Sequence, residues 1–214
     1  MRKTCVLVGN GTLDRDLSQQ IDAVNYVFRF NKTPEFGGRA GTRTDTLMMV
    51  TTNIGSYNRK DKYYKFFCNA EFEKTPPIKA AKEIIFPVNP QIIKRYYRRP
   101  IQGPSLISRL LGHQKLDWTD SLIKLLGPEK NITILSSELY LQAACELGII
   151  DDKLYSLFPS TGFICINHCL RQFDQKEWQI KLCGFTWQGW EAHLWDIEKQ
   201  WVLQKQREGV LSFL

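Results

Sequence analysis

The sequence predicts an α/β fold with a largely parallel central sheet, and two observations carry that expectation. Short apolar, β-branched runs alternate with segments of helical period, and several of the strand-like runs end in Gly or Asn. Strand ends of that kind place a ligand at the carboxyl edge of a parallel sheet. No internal repeat, low-complexity tract or linker rich in Pro, Gly or Ser interrupts the 214 residues, so residues 1–214 read as a single domain.

The elements follow in order. Residues 4–8 are apolar and stop at Gly9-Asn10-Gly11; a short polar helix then leads to a strand at 25–30, where Tyr26, Phe28 and Phe30 alternate with Val27 and Arg29. The turn-rich Pro34-Glu-Phe-Gly-Gly-Arg-Ala-Gly41 precedes a strand at 44–50. Residues 57–77 are aromatic and charged with partly helical character, 82–88 form a strand, and 91–115 show no legible pattern. A helix at 118–126 closes at Gly127-Pro128, a strand follows at 132–135, and a helix at 137–147 stops at Gly148. A helix at 160–173, a strand at 178–183 and a helix at 194–207 stopped by Gly209 complete the chain.

The 29 Lys and Arg outnumber 22 Asp and Glu for a net charge of +7, which suits a polyanion or an anionic membrane surface. The densest patch is Lys94-Arg-Tyr-Tyr-Arg-Arg99. Its interleaved tyrosines suit base stacking or interfacial membrane contact, and a solvated basic loop is the plainer reading. Cys5, Cys68, Cys145, Cys165, Cys169 and Cys183 form no C-x-x-C pair, so reduced thiols are expected rather than a zinc site or disulfide scaffold. Met1-Arg-Lys-Thr runs straight into a strand, and no apolar stretch approaches the ~20 residues that span a bilayer; no signal or anchor is expected.

Val8-Gly9-Asn10-Gly11-Thr12-Leu13 begins like a dinucleotide fingerprint, but G-x-G-x-x-G needs Gly where the chain has Asp14, which disfavours a dehydrogenase. The remaining strand-Gly-Asn-Gly turn lets a ligand approach the backbone and offers the Asn10 amide; an ordinary tight turn has the same signature. Pro159-Ser160-Thr161-Gly162 opens an apolar helix whose free N–H groups and dipole suit an anion, though a plain Ser/Thr cap also looks like this. His113 sits in an unpatterned segment and His168 inside an apolar helix, as a core histidine would. His193 instead follows a strand and a loop at the point where a helix starts, and its imidazole is near its working pKa at neutral pH. Glu198, five residues on, would sit about 140° round a shared helix. With His193 in the preceding loop, Glu198 reads as a support that accepts from exposed N–H groups or a neighbouring side chain. Asp14-Arg15-Asp16 is formally a D-x-D, but at the start of a polar helix such acids favour the helix dipole, so no metal site is expected.

Several of these segments, taken together, resemble a known family. Cys5-Val-Leu-Val-Gly9-Asn10-Gly11, Ile21-Asp22, Asn25-Tyr-Val-Phe-Arg29-Phe-Asn31-Lys-Thr-Pro34 and Gly41-Thr-Arg-Thr-Asp45 resemble the long sialyl motif of the sialyltransferase family of glycosyltransferases. Pro159-Ser-Thr-Gly162 followed by Leu182-Cys-Gly184-Phe185 resembles its short sialyl motif, and His193-Leu-Trp-Asp-Ile-Glu198 its terminal H-x4-E motif. The resemblance implies a single-domain, Rossmann-like variant of the GT-A fold. It also implies an inverting transferase that moves an acid sugar, sialic acid or 3-deoxy-octulosonic acid, from a CMP-sugar donor to a glycan or glycolipid acceptor without metal or other cofactor. On the matching positions Gly9, Asn10, Gly11, Asn31 and Gly184 would border the nucleotide and its phosphate, Ser160, Thr161 and Gly162 would hold the CMP portion, and His193 would be the base. The family's disulfide does not carry over to Cys169 or Cys183, and its further histidine motif is replaced by Trp187-Gln-Gly-Trp190.

Asn10-Gly-Thr12, Asn31-Lys-Thr33 and Asn131-Ile-Thr133 are N-x-S/T sequons, and a glycan on either of the first two would block the site. That favours a compartment without the modification, such as bacterial cytoplasm, with the basic patch resting on the inner face of the membrane near a lipid-linked capsule or lipooligosaccharide acceptor. The competing reading is a non-catalytic nucleotide- or RNA-binding α/β protein; under the transferase reading no nucleic-acid partner is expected.

Overall fold

A computed structural model describes residues 2–52, 75–97 and 117–214. Among the described residues seven strands, all paired in parallel, lie in the order β5-β4-β3-β2-β1-β6-β7. They are β1 (Lys3–Val8), β2 (Tyr26–Phe30), β3 (Thr46–Met48), β4 (Glu83–Phe86), β5 (Asn131–Ile134), β6 (Trp178–Cys183) and β7 (Leu211–Phe213). The helices between them are α1 (Ser18–Asp22), α2 (Pro76–Ala80), α3 (Pro90–Tyr96), α4 (Thr119–Leu126), α5 (Ser137–Glu146), α6 (Thr161–Gln172) and α7 (Trp195–Arg207), with a 3-10 turn at Asp151–Tyr155.

The order makes the sheet doubly wound. From β1 the chain steps outward to β5, then returns to the other side of β1 to lay down β6 and β7. β1 is in register with both neighbours, Val8 opposite Arg29 on one side and Cys183 on the other, so the ends of β1 and β6 sit side by side where the winding reverses. A reversal of this kind opens a crevice at the carboxyl ends of the strands.

Alternation along β1 divides the core. Cys5 and Leu7 face the layer that contains Tyr140 of α5, Phe163 and Ile166 of α6 and Val202 of α7. Val6 and Val8 face Leu13, Leu17 and Ile21, and further along the sheet Leu47, Ile84 and Phe86 meet Ile78 of α2 and Leu122 and Leu126 of α4. Covering both faces explains why these strands read as continuous apolar runs.

It also explains a surprise in β2. The alternation at 25–30 suggests a half-exposed strand, yet Arg29 is only 1% exposed. Its Nε donates to the Arg43 carbonyl at 2.9 Å and a terminal nitrogen to the Ala40 carbonyl at 2.6 Å, while burial pushes its pKa down. The turn wrapped around it is tied from below. Asp22 accepts from the N–H groups of Thr42 at 2.9 Å and Arg43 at 2.8 Å, and Asp45 accepts from Val27 N–H, Arg43 and Lys82.

Other expectations shift. α1 begins at Ser18, so Asp14 and Asp16 precede the helix rather than sit in its first turn, and Asp16 accepts from Ser18 N–H at 2.9 Å. α3 lies in the stretch that had no legible pattern, although Asn89 caps it with Pro90 at its start. Tyr96 and Tyr97, read as stacking surface of the basic patch, are each 6% exposed and pack inward on Tyr155 and Phe158 because they fall on the buried side of the α3 end. Lys94 and Arg95 are exposed. The expectations for 57–74 and 98–115, with Cys68, Arg98, Arg99 and His113, lie outside the described residues. The five described cysteines are free thiols, and among the described residues no helix is long and apolar enough to cross a membrane.

Candidate active site

A cavity of about 510 Å³ opens at the β1/β6 reversal. Its floor is the crossing of two strand ends. Gly9 N–H donates to the Cys183 carbonyl and Gly11 N–H to the Gly184 carbonyl, each at 2.8 Å. A Cβ on Gly9 would collide with the Gly184 carbonyl and one on Gly11 with the Thr186 side chain; Gly184 itself has φ +67°. All three glycines border the cavity, and the missing side chains of Gly9 and Gly11 make room for the opposing chain.

Asn10 is exposed on the rim, and its side chain has no partner among the described residues. Asn31 follows β2 with φ 49°, a conformation Asn tolerates better than most residues. Its Oδ1 accepts from Val50 N–H at 3.0 Å, which leaves the side-chain NH2 to face the cavity.

The opposite wall is the start of α6. Ser160 caps the helix, its Oγ accepting from Phe163 N–H at 3.1 Å, and its carbonyl accepts from Ile164 N–H at 3.0 Å. The N–H groups of Thr161 and Gly162 have no partner among the described residues, and both residues line the cavity at the positive end of the helix dipole. Glu198 lies behind them. From the first turn of α7, fully buried, it accepts from Ser160 N–H at 2.8 Å and Ser160 Oγ–H at 2.6 Å. Burial pushes its pKa up to about 7, against the pull of those hydrogen bonds. Glu198 does not border the cavity; as the sequence suggests, it supports the loop from behind by accepting from Ser160.

His193 sits in the loop immediately before Leu194, the residue that leads into α7. Its Nδ1 is 2.7 Å from the Phe158 carbonyl, which can only accept, so Nδ1 carries the hydrogen and Nε2 keeps a lone pair. Phe158 N–H donates in turn to the Ala192 carbonyl at 3.0 Å, clamping the loop from both sides. The imidazole stands edge-to-face with Trp190 at 5.0 Å and Trp195 at 4.9 Å. Burial lowers its pKa, and the Phe158 hydrogen bond opposes this only in part. The result is an imidazole held neutral with its basic nitrogen unencumbered. His168, by contrast, packs its ring against Phe28 in the core.

Three features escaped the motifs: the Phe158 carbonyl behind His193, and in the wall the buried Thr52, whose Oγ has no partner among the described residues, and the tryptophans of 187–195. A backbone carbonyl leaves no residue-type signal. Trp187-Gln-Gly-Trp190 was visible only as a departure from a motif.

The fold and site define a doubly wound, Rossmann-like α/β protein in which the start of α6 and the buried His193 line one cavity. No protein-family model and no curated protein matches the chain in sequence. Among solved structures it is similar to a mammalian sialyltransferase, at TM-score 0.55 and 14% identity, with 100% of this chain aligned to 69% of that one. A mammalian sialyltransferase in complex with Gal-beta-1-3GalNAc-ortho-nitrophenol aligns at TM-score 0.55, 16% identity and the same coverage. A Campylobacter jejuni sialyltransferase in complex with CMP-3FNeuAc aligns at TM-score 0.46 and 12% identity, over 100% of this chain and 81% of that one. The chain has a sialyltransferase-like fold.

Proposed function

We propose that the protein is an inverting glycosyltransferase that moves sialic acid or 3-deoxy-octulosonic acid from a CMP-sugar to a hydroxyl of a glycan or glycolipid. The observation that carries the reading is the 2.7 Å contact of His193 Nδ1 with the Phe158 carbonyl, an acceptor that favours the Nδ1–H tautomer and leaves Nε2 for a proton, in a residue that lines the same cavity as the α6 start. In the reaction the acceptor oxygen bonds to the anomeric carbon, His193 Nε2 takes the hydroxyl proton, and the bond to phosphate breaks with its electron pair leaving on CMP. The charge that gathers on the phosphate meets the Thr161 and Gly162 N–H groups, the helix dipole and the amides of Asn31 and Asn10. Those dipoles take the role a metal plays against a diphosphate, so turnover is expected to survive chelation by EDTA. Because two sequons, Asn10 and Asn31, border the cavity, we place the enzyme in a compartment without N-glycosylation, on the cytoplasmic side of a bacterial membrane, building capsule or lipooligosaccharide.

The test is a thermal-shift panel of CMP, CDP, UDP, GDP and NADH followed by CMP-sugar hydrolysis and transfer assays. A melting-temperature rise with CMP above the others supports the reading. No response to CMP would sink it.

A further inference from the structure

Trp190 is anchored more firmly than an exposed aromatic needs for packing alone. One indole face stacks on Phe158 at 5.4 Å and 8°, and Phe158 rests on the buried Tyr97 at 4.5 Å, so the stack reaches into the core. The Trp190 carbonyl accepts from His193 N–H at 3.1 Å and from Trp195 Nε1 at 3.0 Å, which fixes where the chain carries the ring. Yet the residue stays 37% exposed and lines the cavity. A large apolar surface held rigid and left in water is unfavourable until something covers it.

Its place says what. The ring stands edge-to-face with the imidazole, the group read as the base for the acceptor hydroxyl. A pyranose ring has faces built of C–H groups and hydroxyls around its edge. Laid on an indole, it buries a C–H face and leaves an edge hydroxyl free to reach a neighbouring base. We propose that Trp190 is the platform on which the acceptor sugar stacks, a specificity-determining residue that acts on acceptor rather than donor. The proposal rests on the reading of His193 as a transferase base. The rival occupant of the ring is the cytosine of the donor, and the experiment separates the two.

Wild type, Trp190→Leu, Trp190→Ala and Trp190→Phe are compared by saturation-transfer NMR with the methyl β-pyranosides of galactose, glucose, mannose and N-acetylglucosamine, at saturating CMP. CMP affinity is measured in parallel by calorimetry, and unfolding midpoints show that each variant is folded; Leu and Phe keep most of the volume. In wild type at least one pyranoside receives saturation on the protons of one ring face, lost in the Ala and Leu variants and partly kept in Phe. CMP affinity changes by less than about threefold, while acceptor KM in Trp190→Leu rises roughly three- to tenfold with a smaller change in kcat. Saturation of no pyranoside, or saturation unchanged in Ala and Leu, overturns the proposal. So does a tenfold or greater loss of CMP affinity in those variants, which would hand the ring to the base. Wild type that fails to bind CMP instead overturns the proposed function, a separate readout.

Discussion

The two halves of the cavity are built in opposite ways. On the β1–β2 side most of the residues that carry the family resemblance hold up the fold: Arg29, Asp22 and Asp45 tie the turn before β3, and Gly9 and Gly11 clear a path for Gly184. Among the described residues of that side, the Asn10 side chain and the NH2 of Asn31 are left without a partner. On the α6–α7 side the polar groups face the cavity and their supports stand behind, Glu198 behind Ser160 and Phe158 behind His193. A motif residue therefore reports on chemistry only when its hydrogen-bonding capacity is not already spent on its own neighbours.

Substitutions on the two sides should separate stability from catalysis. The largest effect is expected at His193→Ala. Transfer should fall by about 10²–10⁴-fold, with CMP affinity within a few-fold of wild type by calorimetry; equal activity would remove His193 as the base. Next comes Gly9→Ala, which forces a Cβ into the Gly184 carbonyl. Urea unfolding should show a loss of roughly 2–4 kcal/mol, and an unchanged midpoint would mean the crossing is not tight.

Glu198→Gln tests the support. The folded pKa of Glu198, about 7, lies above its ordinary 4.5, so the folded state holds the proton more tightly. That stability is fully present below about 4.5 and lost as pH rises to about 7, roughly 3 kcal/mol across the window. The Gln variant should lack this part of the slope in pH-dependent unfolding; a slope identical to wild type would remove Glu198 as its source.

Asn31→Asp keeps the acceptor for Val50 N–H but turns the free NH2 into an oxygen. Stability should change little while CMP affinity drops about tenfold; equal loss in both would return Asn31 to the structural side. The smallest effect concerns pH. Because burial lowers the His193 pKa, the acidic limb of kcat/KM should lie below the ordinary imidazole value of 6.5, and a limb above it would contradict the buried, neutral base.

Much of this was legible beforehand. The strand at 4–8 stands out because a central strand buried on both faces reads as an apolar run, and those at 25–30 and 178–183 because apolar residues alternate along them. His193 stands out in sequence because it falls between a loop and a helix start rather than inside an apolar helix, as His168 does. β7 was missed because three residues show no period, and α3 because its Asn89 cap and Pro90 were swamped by the basic patch that follows. The same patch misled about Tyr96 and Tyr97, since the helix end leaves Lys94 and Arg95 exposed and buries both tyrosines.

By itself the sequence determined the alternation of elements, the strand ends that meet at the cavity and the residue types available there, all of which depend on local pattern. The tertiary structure alone decided which of those residues are spent and which are free. The burial of Arg29, the reason for Gly9 and Gly11, the placement of Glu198 behind Ser160 and the proton on His193 Nδ1 each depend on a partner 11 or more residues away in the chain. Hydrogen bonds and close contacts across such distances exist only once the sheet and the helices and turns packed around it have formed.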